Sequence, residues 1–413
     1  MKFGIELGFQ LPRPWTKNSE SDLYRSRLEI AELVDRLGFD YVWVEEHHFM
    51  EEYCHLASPE VFLAAASQRT EQIRLGFGVM LLPPAISHPV RSAEKVSTVD
   101  LLSGGRVDFG IGSSSDRVNT IAWNIPWEER QDMTEAALSE VVRMFVEEPY
   151  MGCDGKYFKF PPRNIIPKPF QKPHPPLWQA CSYRENILKA ARNGLGALSF
   201  GFADADTTRQ WAEAYHKTFE REAIPIGYSI NPNLSVLSRL ICRPTDSEVT
   251  KIQEKVNFWW YGFVHYFGYG KHKPGVTSLW DNYTRGGYEY EWDTGTIGTP
   301  QKIRRTLREY EEAGLDNIVF SVEAGTISHE EICASLELFA SEVMPEFKER
   351  EMSNSAAKRA ESDRLAEVIM PRKQTLASTT DIPVVEMKEF RPWYQYMGFP
   401  LDEEGFPILR EGS

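Results

Sequence analysis

The sequence predicts a (β/α)8 barrel, and three observations carry that prediction. Apolar runs of strand length alternate with amphipathic stretches of helix length. Eight such strands fall within about 350 residues, the number a closed barrel needs. The second of them, VWVEEHHF (42–49), ends in two carboxylates and two histidines, as a barrel strand does when it delivers polar side chains to the face where βα loops begin. A doubly wound open sheet is the other architecture this alternation allows.

Taken in order, the first strand is KFGIELGF (2–9). The segment 20–38 puts Leu28, Ala31, Leu33 and Val34 on one helical face, leaves Arg27 and Asp35 off it, and ends at Gly38, where a C-cap belongs. YVWVEEHH (41–48) is the second strand. Helix 58–70, strand 73–82, helix 89–103, strand RVDFGIG (106–112) and helix 127–147 complete four units. A proline-rich connection (161–176) leads to strand LWQAC (177–181), helix 184–193, strand ALSF (197–200), helix 206–222 and strand LSVLSRLIC (234–242). Thr299-Pro300 opens helix 300–313. Strand NIVFSV (317–322) and helix 328–348 finish the series, so the barrel is expected over 1–350.

Two stretches exceed a minimal barrel. Residues 244–298, with NFWWYGFVHYFGYGKHKPG and SLWDNYTRGGYEYEWD, are far longer than an ordinary βα loop. They either cover the site as a lid or pack on the barrel as a surface insertion. Residues 351–413 form a C-terminal extension: a polar first part, expected to be a frayed helix or linker, then PWYQYMGFP (392–400), an arm on a neighbouring subunit or a free tail.

Composition narrows the function. With 42% hydrophobic and 26% charged residues the chain is an ordinary globular one. A net charge of -14 opposes a phosphate backbone, and no basic cluster overrides it, so nucleic acid is not an expected partner. The start, MKFGIELGFQLPRPW, has no secretory apolar run, and no segment reaches the roughly 18 apolar residues of a membrane span; the cytoplasm is the expected location. Five scattered cysteines without a CxxC pair indicate neither a disulfide framework nor a zinc site. Backbone amides at a helix start can still hold a small anion.

The histidine pair allows three readings. Alternation on a strand sends His47 and His48 to opposite faces unless the chain turns off its pleat. They can be structural, hydrogen-bonded at a strand end. They can be metal ligands, but adjacent histidines are poorly spaced for one ion and the other seven fall in no companion motif, so no metal is expected. They can serve acid–base work or contact a cofactor. Among the tryptophans, Trp123, Trp127, Trp259 and Trp260, with Tyr261, can wall an apolar substrate cavity or simply pack.

The same residues resemble a known family. VWVEEHHF, the start MKFG, LPPAISHPVRSAEKVSTVDLLSGGRVDFGIG (82–112) and the late segment 298–348 ending SEVMPEFK together resemble the bacterial luciferase family of flavin-dependent monooxygenases, and within it the alkanal monooxygenase alpha chains. The resemblance spans most of residues 1–350. It implies a barrel that takes reduced FMN, reacts it with O2 through a C4a-hydroperoxide, and oxygenates a hydrophobic or aromatic small molecule. It implies a separate NAD(P)H-dependent flavin reductase, in keeping with the lack of a GxGxxG motif after any strand, and a homodimer paired through helices near the second and third units. Light emission is not implied.

Residue by residue, the resemblance makes His47 catalytic and His48 the flavin contact, with Glu46 beside them. It places a non-prolyl cis peptide at Gly78-Val79, under the flavin ring. For the FMN phosphate it points to Ser182, with Tyr183 and Arg184 at the start of helix 184–193, and to Gly112 and Ser113, which stand where the luciferases have a cysteine and an arginine. The charge that arginine would bring is then expected from Arg184 or Arg117. Substrate contacts are expected from Trp123, Trp127 and Trp260. A deazaflavin-dependent hydride-transfer enzyme on the same barrel and a non-catalytic flavin-binding partner subunit are the alternatives.

Overall fold

The computed structural model describes residues 1–199, 204–253, 255, 257–286, 295–322, 326–373, 382–385, 396–403 and 408. Eight parallel strands close on themselves: β1 (Lys2–Leu7), β2 (Tyr41–Val44), β3 (Arg74–Leu81), β4 (Val107–Gly112), β5 (Leu177–Cys181), β6 (Gly196–Ser199), β7 (Leu234–Arg239) and β8 (Asn317–Ser321). The closing seam pairs Lys2 with Asn317 and Glu6 with Ser321. Closure settles the choice in favour of the barrel over an open sheet, and it pairs each of these eight strands on both edges.

Inside the barrel, the Trp43 indole lies over glycines of the two strands beside its own: a Cβ built on Gly76 would come within 2.1 Å of its Cε3, and one on Gly4 within 3.1 Å of its Nε1. Trp178 packs edge-on against it at 5.5 Å, and its own indole N–H donates to Asp108 at 2.8 Å. Asp108 is paired in turn with Arg74, so this carboxylate is satisfied on both oxygens.

Helices cover the outside: α1 (Ser19–Leu37), α2 (Pro59–Ser67), α3 (Pro89–Leu102), α4 (Arg117–Ala122), α5 (Arg130–Val146), α6 (Arg184–Arg192), α7 (Ala205–Glu222), α8 (Asp246–Gln253), α9 (Asn257–Val264), α10 (Leu279–Gly286), α11 (Pro300–Glu312), α12 (His329–Glu342) and α13 (Met344–Ile369). Helix α1 ends at Gly38, left-handed at φ +82°. Arg27, read from the sequence as lying off the apolar face, is buried and donates from Nε to the Gly8 carbonyl at 2.7 Å. Asp35 leaves that face to accept the amides of Glu71, Gln72 and Ile73.

Three expectations change. Strand 234–242 breaks after Arg239, and Ile241–Cys242 pairs with Ile297–Gly298 instead of continuing the barrel. Helix 127–147 starts at Arg130, preceded by the separate turn of α4. Helix 328–348 divides at Val343, because Pro345 has no amide to continue the ladder; α13 begins there and runs 26 residues, across residue 350. Of the two expectations for the polar segment, a frayed helix or a linker, it is the helix that forms, and it is continuous to Ile369. Its start is docked by Phe347, edge-on to Phe3 at 5.7 Å, and the residues just after it are held by Lys373, which donates to the carbonyls of Pro225 and Ile226. Residues 392–395 of the aromatic segment, 254, 256 and 287–294 of the insertion and Phe200 of the expected sixth strand lie outside the described residues. Among the described residues, no helix is long and apolar enough to cross a membrane, and all five cysteines are free.

Candidate active site

A cavity of about 400 Å³ opens at the C-terminal ends of the strands. Its walls come from Glu6 on β1, Glu45 to His47 after β2, Gly78 and Val79 on β3, Gly112 to Asp116 after β4, Ser182 after β5 and Leu237 on β7. A wider groove of about 540 Å³ lies outside the barrel between α8 and α12. Arg243, its most buried cation, is committed there to the carbonyls of Cys242 and Glu331 and the Ser335 hydroxyl.

The chain leaves the pleat after Val44. Glu46 turns inward and ties two strand ends together: one oxygen accepts the Leu81 amide at 2.8 Å, the other lies 3.0 Å from Nε2 of His48. Phe49, left-handed at φ +64°, lets the chain turn away. His47 lines the cavity; His48 does not, its ring standing edge-on to Trp123 at 5.6 Å. Nε2 of His47 is 3.2 Å from the Glu45 carboxylate, and Nδ1 is shielded from solvent with no hydrogen-bond partner. Burial pushes the His47 imidazole down, but Glu45, with Asp116 and Glu46 behind it, outweighs burial and holds it above the ordinary value of 6.5.

On β3 the Gly78-Val79 peptide is cis. Gly112 packs directly against Val79: a Cβ there would come within 2.4 Å of Val79 Cγ2. Beyond it the chain forms a serine-rich turn, with Ser114 at φ +62° and Asp116 capping α4 by accepting the Asn119 amide at 2.7 Å. Ser113, Ser182 and Tyr183 line this end of the cavity, and Tyr183 stands as N-cap of α6 with its ring exposed. Arg184, the first residue of α6, is exposed and not among the lining residues.

The cation at this end is Arg130, the first residue of α5, which the sequence did not single out. It donates from Nε to the Ser114 carbonyl at 3.1 Å, and its guanidinium lies 3.7 Å from the Trp127 ring, which Arg117 also covers at 4.1 Å. Burial and then the Arg117 charge push Arg130 down, a strain an anion in the cavity would relieve.

The opposite wall is aromatic. Trp259 and Phe263 of α9 and Phe267 of the π-turn that follows it (His265–Tyr269) line the cavity with Tyr53. Their rings stack, Trp259 on Phe263 at 5.5 Å and Phe263 on Phe267 at 4.8 Å. Trp260, one position on, is rotated off that face and lies under Arg239. Trp123 packs on His48, and Trp127 on the two arginines, so none of the three tryptophans expected at the substrate is among the lining residues. The insertion is pinned over the site by the loop after β2: Glu52 accepts the amides of Leu279 and Trp280, and the Glu51 carbonyl accepts the Tyr266 hydroxyl. Among the described residues, no group of three or more histidines, cysteines or carboxylates could hold a metal.

Set against known proteins, the model of the luciferase-like monooxygenase family matches residues 1–317. The chain is 26% identical over 375 residues to the alkanal monooxygenase alpha chain of Photorhabdus laumondii subsp. laumondii, covering 86% of this chain and 99% of that one. It is 24% identical over 374 residues to the oxygenase component of the flavin-dependent trigonelline monooxygenase of Acinetobacter baylyi, covering 86% and 98%. Among solved structures, the oxygenating constituent of 3,6-diketocamphane monooxygenase from Pseudomonas putida, in complex with FMN, shares the fold with a TM-score of 0.66 at 19% identity, over 84% of this chain and 98% of that one.

Proposed function

The chain belongs to the luciferase-like monooxygenase family, and we propose that it is the oxygenase component of a two-component system: it takes reduced FMN and O2 and oxygenates a hydrophobic or aromatic small molecule. A separate NAD(P)H-dependent flavin reductase supplies the reduced flavin. The observation that carries this reading is the division of one cavity into an anion-binding end, an apolar floor and an aromatic wall, with the His47 imidazole lining it.

The residues fit the cofactor. Ser113, Ser182 and the start of α6 offer donors to a phosphate, and Arg130 offers a half-buried cation whose hydrogen bonds go to the Ser114 and Trp127 carbonyls. Gly78, which has no side chain, and Val79 give an apolar floor against which an isoalloxazine can lie. Bound reduced FMN supplies the two electrons that activate O2 and allow one oxygen atom to reach the substrate. The chain itself does three things. Glu46, fixed by Leu81 and His48, holds the strand end in place. His47 carries a proton at Nε2, next to Glu45, and can give or take it at neutral pH. Trp259, Phe263 and Phe267 exclude water and offer the substrate an apolar face.

Val61 on α2 and Leu101 and Leu102 on α3 are large apolar side chains left on the surface, which supports pairing of two copies through these helices. The reading is tested with His47→Ala. The variant should bind FMNH2 in an anaerobic titration as the parent does, and should no longer transfer ¹⁸O from ¹⁸O2 to any product found by screening hydrophobic aldehydes, ketones and aromatics. Full retained transfer removes His47 from the reaction; hydride transfer from a reduced deazaflavin without O2 uptake replaces the whole reading.

A further inference from the structure

We propose that Glu45 is a positioning residue acting through His47: its carboxylate keeps the imidazole proton on Nε2 and leaves Nδ1 bare against the protein. This rests on the reading of His47 as proton carrier given above.

The geometry supplies two independent constraints on one ring. The first is the Glu45 carboxylate, 3.2 Å from Nε2, with both side chains less than a fifth exposed. A carboxylate only accepts, so a proton on Nε2 is favoured and a lone pair there is repelled. The second is Nδ1, which is sealed from solvent and bonded to nothing in the protein. A buried N–H without an acceptor is the rarer and costlier defect, so Nδ1 is better left without its hydrogen. Both constraints select the same tautomer.

The surroundings strengthen the hold. Facing His47 are Glu45 and Glu46 from its own segment, Asp116 from the turn after β4, Tyr53 from the loop after β2 and Phe267 from the π-turn, with Cys54 beside Glu45. No cation is among them. Burial and then Glu45 push both the Tyr53 hydroxyl and the Cys54 thiol far up, so these two stay neutral and His47 is the group that titrates. With three carboxylates around it, the imidazole also keeps its second proton to higher pH than a free histidine does.

The test reads ¹⁵N shifts of the histidine ring in the flavin-free protein, with His47 assigned by the signal lost in His47→Gln. The wild-type protein should show neutral His47 with its hydrogen on Nε2, and Glu45→Gln should lower its titration midpoint by about one pH unit or more. Wild-type His47 with its hydrogen on Nδ1 overturns the proposal without any variant being needed, as does an unmoved midpoint in a folded Glu45→Gln protein. The pH profile of oxygen transfer then separates the two readings. A profile that moves with the midpoint supports both, whereas an unmoved profile beside a moved midpoint upholds the grip of Glu45 on His47 and refutes the part of His47 in the reaction.

Discussion

Replacing Glu52 should loosen the aromatic wall from the barrel while leaving the barrel folded. Glu52 has no exposed surface, and its two carboxylate oxygens accept three backbone amides: Arg13 at 2.9 Å, Leu279 at 2.5 Å and Trp280 at 3.0 Å. Leu279 and Trp280 are the first two residues of α10, where a negative charge is also favoured by the helix dipole. Glu52→Gln keeps the shape, removes the charge and turns an NH2 group towards amides that are donors themselves. With hydrogen bonds to a charged group contributing about 1.5–3 kcal/mol each, and one of the three retained, the loss is at least about 3 kcal/mol; Glu52→Ala costs about 3–5 kcal/mol. Because two of the three amides, Leu279 and Trp280, belong to the insertion, most of the cost falls on local opening. Hydrogen exchange should therefore speed up by about a hundredfold at the Leu279 and Trp280 amides, since 1.4 kcal/mol is tenfold. Amides in β1 and β8 should be unaffected. Unchanged exchange at Leu279 and Trp280 in Glu52→Gln would refute the clasp.

Three further outcomes are expected. Arg130→Ala should weaken FMN binding at least about tenfold, the worth of one charged hydrogen bond, with Arg184→Ala changing it far less; fluorescence titration giving the reverse order would move the phosphate to the exposed side of α6. His174 donates from Nδ1 to the Pro175 carbonyl and accepts the Tyr228 amide at Nε2, and burial, helped by the Lys373 charge, pushes it down to about 4 from 6.5. The unfolded chain therefore takes up this proton first as pH falls, so His174 should cost the fold about 3 kcal/mol of stability in urea between about pH 6.5 and 4, a contribution that His174→Gln removes from the slope. Gly76→Ala drives a methyl into the Trp43 ring and should destabilise the barrel by about 1–3 kcal/mol or more by urea unfolding, with Trp43→Phe recovering part of the loss.

Strand order was legible because each barrel strand is an apolar run flanked by a helix with its own period, and LWQAC (177–181) was placed to the residue. Boundaries failed where a local pattern continued across a tertiary break, as at Arg239, where LSVLSRLIC stays apolar while the backbone changes partner. The site divided along the same line. His47, Glu46, Gly78, Val79, Gly112, Ser113, Ser182 and Tyr183 sit at strand ends, where sequence order fixes position, and the structure gathers all eight around one cavity. Arg130 reads as any first-turn arginine, and only the serine-rich turn after β4 folding back on α5 brings it to the cavity. The aromatic wall had the right composition, but which tryptophan faces inward is set by a helix phase: the stacked series at 259, 263 and 267 was visible as an i, i+4 spacing that extends into the π-turn, and Trp260 falls off it. Glu45 and Glu52 were readable only as charges beside the histidines; their partners lie across the fold.

The most direct measurement is a single turnover. Protein loaded anaerobically with FMNH2 is mixed with buffer containing ¹⁸O2 and a substrate from the apolar panel, and label is followed by mass spectrometry. One labelled oxygen should appear in product and one in water, in the absence of any nicotinamide. Oxidation of the bound flavin that yields only hydrogen peroxide with every substrate tried, or no retention of FMNH2 at all, would contradict the account.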